Sequence, residues 1–227
     1  MRDLLIRALS RRGLSVDRSA SPAAISEVLE LLRTTAFAMG DLVRIGGPGD
    51  GGYLVPSDLD GIVAAFSPGV GPTWSFEDEL LDRFGIESFL CDPVPPEVGC
   101  AHDFMATCLG AVTSEGEVSL ADWVDAKAPG AGDLLLQMDI EGSEYPVLLA
   151  TPDEVLARFR VMLVEFHFLD RISSRLMSDL LISPTLRRVA RQFEIVHTHV
   201  NPVGGIVNRA GVTIPKTVEV TYLRRPA

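Results

Sequence analysis

Residues 134–149 read LLLQMDIEGSEYPVLL. Leu134 to Met138 are apolar apart from Gln137, and Asp139, Glu141 and Glu144 then follow within six positions, broken by Gly142. A parallel strand covered on both faces reads as an apolar run. A run that stops at carboxylates and a glycine reads as the carboxyl end of that strand opening into a loop. In open α/β sheets ligands bind outside those carboxyl ends. Asp139 and Glu141 are therefore expected at the floor of an active site.

Downstream, Tyr145 to Ala150 and Pro152 to Phe159 read as short helices, with Thr151-Pro152 as an N-cap and N1 pair. Val161 to Val164 then enters a strand that ends Glu165-Phe166-His167-Phe168. Strand alternation puts Glu165 and His167 on one face. A helix over roughly Ser173 to Gln192 leads to a strand from Phe193, which ends His197-Thr198-His199-Val200-Asn201. Alternation again groups His197, His199 and Asn201. Thr217 to Arg224 is a last strand, close enough in sequence to pair antiparallel with the one before it.

Upstream, Ile62 to Phe66 is a short buried strand that ends in Ser67-Pro68-Gly69-Val70-Gly71 and is followed by a helix over Trp74 to Phe84. Strand, glycine turn and helix make up the layout that binds a nucleotide-like cofactor. The next strand, Ile86 to Asp92, ends in an acid 21 residues after Gly71, close to the offset of about 20 at which a carboxylate meets a ribose hydroxyl. Residues 41–60 hold five glycines and two prolines, which means tight turns or a hairpin, and Asp50-Gly51-Gly52 would let backbone approach a ligand. Val98 to Leu109 reads as a helix, Gly110 to Val112 as a short strand, and Ser119 to Ala126 as a helix capped by Ser119. Residues 1–40 read as two helices, the second opened by Ser21-Pro22 and stopped near Gly40, packing on the main domain or on a second subunit as a route to a homo-oligomer.

These elements give one α/β domain over 41–227, a mostly parallel sheet of about seven strands with an antiparallel C-terminal hairpin, behind a helical extension over 1–40. The net charge of −11 weighs against nucleic acid and anionic membranes as partners. Three cysteines without CxxC spacing are expected as reduced thiols of a cytoplasmic protein, and no apolar run reaches the length of a membrane span. Polar ends of successive strands converge on one crevice. Either His167 or His199, its pKa adjusted by a carboxylate such as Asp139, could remove a hydroxyl proton, or Asp139, Glu165 and His167 could hold a divalent ion such as Mg.

Several stretches resemble the FkbM-type class I S-adenosylmethionine-dependent methyltransferases: RIGGPGDGGYLV (44–55), FSPGVGPTWSFE (66–77), FLCDP (89–93), QMDIEGSEYPV (137–147), VEFH (164–167), and HTHVN with IPKTVEVTYLR within 197–224. The resemblance implies a Rossmann-like methyltransferase fold and methyl transfer from S-adenosylmethionine, most often to a hydroxyl of a small molecule, sugar or polyketide. It places Asp50, Gly51, Gly52, Ser67, Gly69 and Gly71 at the cofactor, Asp92 on its ribose, and Asp139 between cofactor and acceptor. Two departures stand out. The general class I pattern carries an acid on the first strand and a third glycine, whereas Ala65-Phe66-Ser67-Pro68 occupies that region here. Pro68 also removes a backbone donor. A methyltransferase-like binding module without turnover, or a Rossmann-like dinucleotide enzyme, are the alternatives these departures leave.

Overall fold

A computed structural model of the chain describes residues 17–35, 42–49, 51–95 and 99–226. The first N-terminal helix, Gly40 and Asp50 lie outside the described residues.

Helix α1 (Pro22–Glu30) starts as its sequence requires, with the Ser21 hydroxyl accepting from the Ala24 N–H and Pro22 in the first turn. It ends well before Gly40. The chain instead extends so that the Thr35 N–H reaches the Ile195 carbonyl, and pairing with a sheet edge outweighs continued helix. Strands β1 (Leu42–Ile45) and β2 (Tyr53–Pro56) form the antiparallel hairpin that the glycine-rich segment turns. Strand β3 (Ile62–Pro68), helix α2 (Ser75–Phe84) and strand β4 (Ser88–Asp92) follow, and Gly85 stops α2 in a left-handed conformation.

The helix expected over 98–109 is absent from its described part, 99–109. In place of a helix stand β5 (Asp103–Ala106), parallel to β4, and β6 (Cys108–Gly110), parallel to β7 (Glu117–Ser119). Pairing with β4 decides this segment, and local spacing does not carry that information. Helix α3 (Leu120–Lys127) is capped by Ser119 as expected. Strand β8 (Asp133–Met138) is followed by α4 (Glu144–Ala150), α5 (Asp153–Leu156) and β9 (Phe159–Phe166). The Thr151-Pro152 reading is one residue early, since Pro152 itself holds the N-cap position of α5, and Phe159 opens β9.

The single helix expected over 173–192 is broken. A 3₁₀ turn (Leu169–Ser173), the short α6 (Arg175–Met177), a π turn (Ser178–Ile182) and α7 (Ser183–Gln192) take its place. Pro184, in the first turn of α7, has no N–H to continue an i→i−4 ladder, which accounts for the irregular turn before it. Strands β10 (Phe193–Val200) and β13 (Val218–Arg224) pair antiparallel, with a second hairpin, β11 (Ile206–Arg209) and β12 (Val212–Pro215), between them.

The main sheet has seven strands in the order β10-β13-β9-β8-β3-β4-β5, with β13 antiparallel to both of its neighbours. Strand β8 lies at its centre, which explains the apolar run. Leu134, Leu136 and Met138 pack into a core shared with Trp123 of α3, Tyr145 of α4 and Val189 of α7, while Leu135 faces Phe76 and Leu80 of α2 with Ile45 and Val55 of the hairpin. Gln137 falls on this second face and is tolerated there because its Nε2 donates to the Tyr53 hydroxyl at 3.1 Å. The chain order reverses between β3 and β8, so the carboxyl ends of these two strands form the switch point at which α/β sheets bind ligands.

Candidate functional site

A cavity of about 470 Å³ opens at that switch point, a size in the range of small-molecule sites. Gly69, Gly71, Asp92 and Asp139 line it from the ends of β3, β4 and β8, and Gly51 and Tyr53 line it from the hairpin. The glycines serve different ends. At Gly69, where φ is +81°, a Cβ would stand 1.6 Å from the Asp139 carbonyl oxygen, so glycine is needed for backbone packing between the two strand ends. Gly71 has a φ of +60° and open space where a Cβ would project, so here the bare backbone does face the cavity. Gly52 does not line it. A Cβ there would meet the Gly47 carbonyl at 2.0 Å, and the residue closes the hairpin loop, which Arg44 braces through the Gly47 and Gly49 carbonyls. Ser67 is fully buried and does not line the cavity. Pro68 still serves the sheet, since its carbonyl accepts from the Asp139 N–H at 3.2 Å and the next donor, the Gly69 N–H, reaches the Cys91 carbonyl at 2.9 Å.

Asp92 ends β4 with one carboxylate oxygen accepting the Val94 N–H at 2.8 Å, which leaves the other for a ligand. Part of the wall is aromatic, with Tyr53 and Phe76 edge to face at 5.5 Å. Thr107, Cys108 and Leu109, from the segment misread as a helix, close one side. Among the described lining residues four are acidic (Glu77, Asp92, Asp139, Glu141) and none is Lys, Arg or His.

Behind Asp139 lies His167. Its Nδ1 is 3.0 Å from Glu144 Oε1, and the same oxygen accepts the N–H groups of Ile140 at 3.2 Å and Gly142 at 3.0 Å. Glu144 thus ties the β8–α4 loop to the end of β9 and fixes the ring, turning Nε2 toward Asp139 at 3.7 Å, Glu141 at 3.4 Å and Glu165 at 3.9 Å. Both segments around the ring hold uncommon backbone, with φ of +54° at Glu141 in the β8–α4 loop and +53° at Phe168 after β9. Gly142 fits beneath the Phe168 ring, which a Cβ would meet at 2.6 Å.

Burial raises the Asp139 carboxyl to about 7, with Glu165, Glu141 and Glu144 adding to the effect and His167 opposing it. Burial alone would lower His167, but the Glu144 hydrogen bond and the surrounding carboxylates raise it to about 9. The cluster thus favours a protonated imidazole beside a carboxyl that ionises above the usual carboxylate range. Asp139 Oδ1 is buried without a hydrogen-bond partner. Asp139, Glu144 and His167 each offer a ligand atom within 4.8 Å of one another, so the group that could hold an ion takes in Glu144 beside the expected Asp139 and His167. Glu165 is engaged by Asn201, whose Nδ2 donates to it at 2.9 Å.

His199 stands apart. It is exposed on β10 opposite Glu219, does not line the cavity, and makes no hydrogen bond or ion pair with Asp139 or His167 among the described residues. Strand β13 lies between its strand and β9. Sequence reasoning passed over Tyr53, Phe76 and Glu77 as cavity residues, and Glu144 as the group that orients His167. For Glu144 the signal available was its place three residues after Glu141 on the turn into a helix. No family model matches the chain, and no curated protein matches it closely enough to count as a relative.

Proposed function

We propose that this protein is an S-adenosylmethionine-dependent methyltransferase that methylates a hydroxyl oxygen of a small molecule. The observation that carries the reading is the charge of the cavity. A site at the switch point of the sheet, lined by four carboxylates and no cationic side chain among the described residues, suits a positively charged cofactor and opposes the pyrophosphate of a dinucleotide. The strand order supports it too. Counting only the main sheet, the order is 3-2-1-4-5-7-6 with the seventh strand antiparallel, the arrangement expected of a class I methyltransferase.

The residues present fit such a cofactor. Asp92 offers a free carboxylate oxygen for ribose hydroxyls, Gly71 a bare backbone, and the Tyr53–Phe76 wall an apolar surface for a flat ring. Bound S-adenosylmethionine supplies a methyl group already activated on sulfur. The protein's own work is then to align the acceptor and to remove its proton. Asp139 lies on the cavity side of the cluster and accepts that proton. His167, held by Glu144, opposes the effect of burial and favours the ionised Asp139 that can accept the proton, so its role is positioning and electrostatic.

The test is thermal. S-adenosylmethionine raises the melting temperature of the wild type, and Asp92→Ala removes the rise. No shift at saturating cofactor would end the proposal, and a shift with NADH in its place would assign the cavity to a dinucleotide. A second reading, in which a divalent ion activates the hydroxyl, is favoured by the convergence of Asp139, Glu144 and His167.

A further inference from the structure

Glu77 is a carboxylate that the fold leaves without a counter-ion. It sits in the first turn of α2, is only 3% exposed, and yet lines the cavity. No lysine or arginine forms an ion pair with it among the described residues. His102, whose charge acts on Glu77, pairs directly with Asp78 instead, its Nε2 lying 3.0 Å from Asp78 Oδ1. What favours its charge is weak: the positive end of a ten-residue helix and the field of His102. Burial raises its pKa, as it must for a carboxylate in this position without a cation. A charge kept in an enclosed wall without a protein partner is expensive unless a ligand supplies the partner.

The position has meaning against the sequence. Ser67 lies two residues before Gly69, on the strand where the class I pattern carries its acid, and here the strand has none. The Glu77 side chain comes to the same Ser67 from α2.

We propose that Glu77 holds the ammonium group of the cavity's ligand, which on the methyltransferase reading is the amino-acid end of the cofactor. The ion pair replaces the missing first-strand carboxylate with one delivered from the following helix. Asp92 then binds the ribose end and Glu77 the amino-acid end.

The inference rests on the methyltransferase reading for the ligand's identity, and titration calorimetry with two ligands separates the two. S-adenosylhomocysteine carries the ammonium; 5′-methylthioadenosine shares the adenosine and thioether but lacks the amino-acid end. Glu77→Gln is expected to weaken S-adenosylhomocysteine about 10- to 100-fold, the range for a hydrogen bond to a charged group, and to leave 5′-methylthioadenosine within about twofold. Glu77→Asp, which keeps the charge on a shorter arm, should lose less than Glu77→Gln and covers the case in which glutamine does not fold. Equal loss for both ligands would overturn the assignment by making Glu77 a support of the wall, and so would no loss for either. If the wild type binds neither ligand, the parent reading falls with the inference. If the wild type and Glu77→Gln bind S-adenosylhomocysteine alike, only the inference falls.

Discussion

Replacing His167 by glutamine should move the titration of Asp139 upward. Glutamine can still hydrogen-bond to Glu144, so the change removes a charge with little loss of packing. At pH 7 to 8 the wild-type imidazole, raised to about 9, is a cation 3.7 Å from Asp139 Oδ1. At that separation the attraction is about 4.5 kcal/mol for an effective dielectric of about 20 and about 1.1 kcal/mol for about 80. Divided by about 1.4 kcal/mol per unit, this predicts a rise of roughly 1 to 3 pKa units above the wild-type value. Carbon-13 NMR of the side-chain carboxyl follows this directly, without knowledge of any ligand. Glu141→Gln is the control of opposite sign, because Glu141 raises Asp139. Its shift should be downward and smaller, since the Glu141 side chain is 83% exposed and solvent screens it. An Asp139 that titrates in the ordinary carboxylate range in the wild type, or that moves down in His167→Gln, would refute the electrostatic account of the site.

Other outcomes follow from the same geometry. Asp139→Asn should raise the melting temperature by a few degrees at pH 8 and hardly at pH 4. The folded protein must ionise a carboxyl raised to about 7, against about 4 in an unfolded chain, a penalty that is present above pH 7 and absent when the group is protonated in both states. Gly69→Ala should destabilise by more than about 3 kcal/mol in urea unfolding, because its Cβ meets the Asp139 backbone. Gly71→Ala, in open space with left-handed backbone, should cost only about 1–2 kcal/mol while weakening cavity ligands. Activity with Asp139 as proton acceptor should survive EDTA; loss on chelation with recovery by Mg or Mn would instead place an ion among Asp139, Glu144 and His167.

Parts of this architecture were open to a reader of the sequence for physical reasons. Leu134 to Met138 announces a strand covered on both sides because both of its faces are buried. The caps Ser21 and Ser119 announce helix starts because each hydroxyl meets a backbone donor three residues on. Neighbour relations were not legible. Alternation shows which face His199 shares with Asn201, but not that β13 separates its strand from β9. Asn201 bridges the gap by reaching Glu165 beyond the end of its own strand. The strand over 103–106 exists because β4 offers it a partner. Glu77 was hidden for another reason: an acid in the first turn of a helix reads as a capping preference, and only the fold turns it toward a cavity.

The contact between Gly69 and the Asp139 carbonyl ties together two things usually treated as separate. The turn that would grip a cofactor and the carboxylate that would receive a proton are backbone neighbours, joined also by the hydrogen bond from the Asp139 N–H to the Pro68 carbonyl. A displacement of one is passed to the other through that hydrogen bond. Loading of the first half-site would therefore be felt at once in the second, so that readiness for proton removal would report on whether the methyl donor is seated.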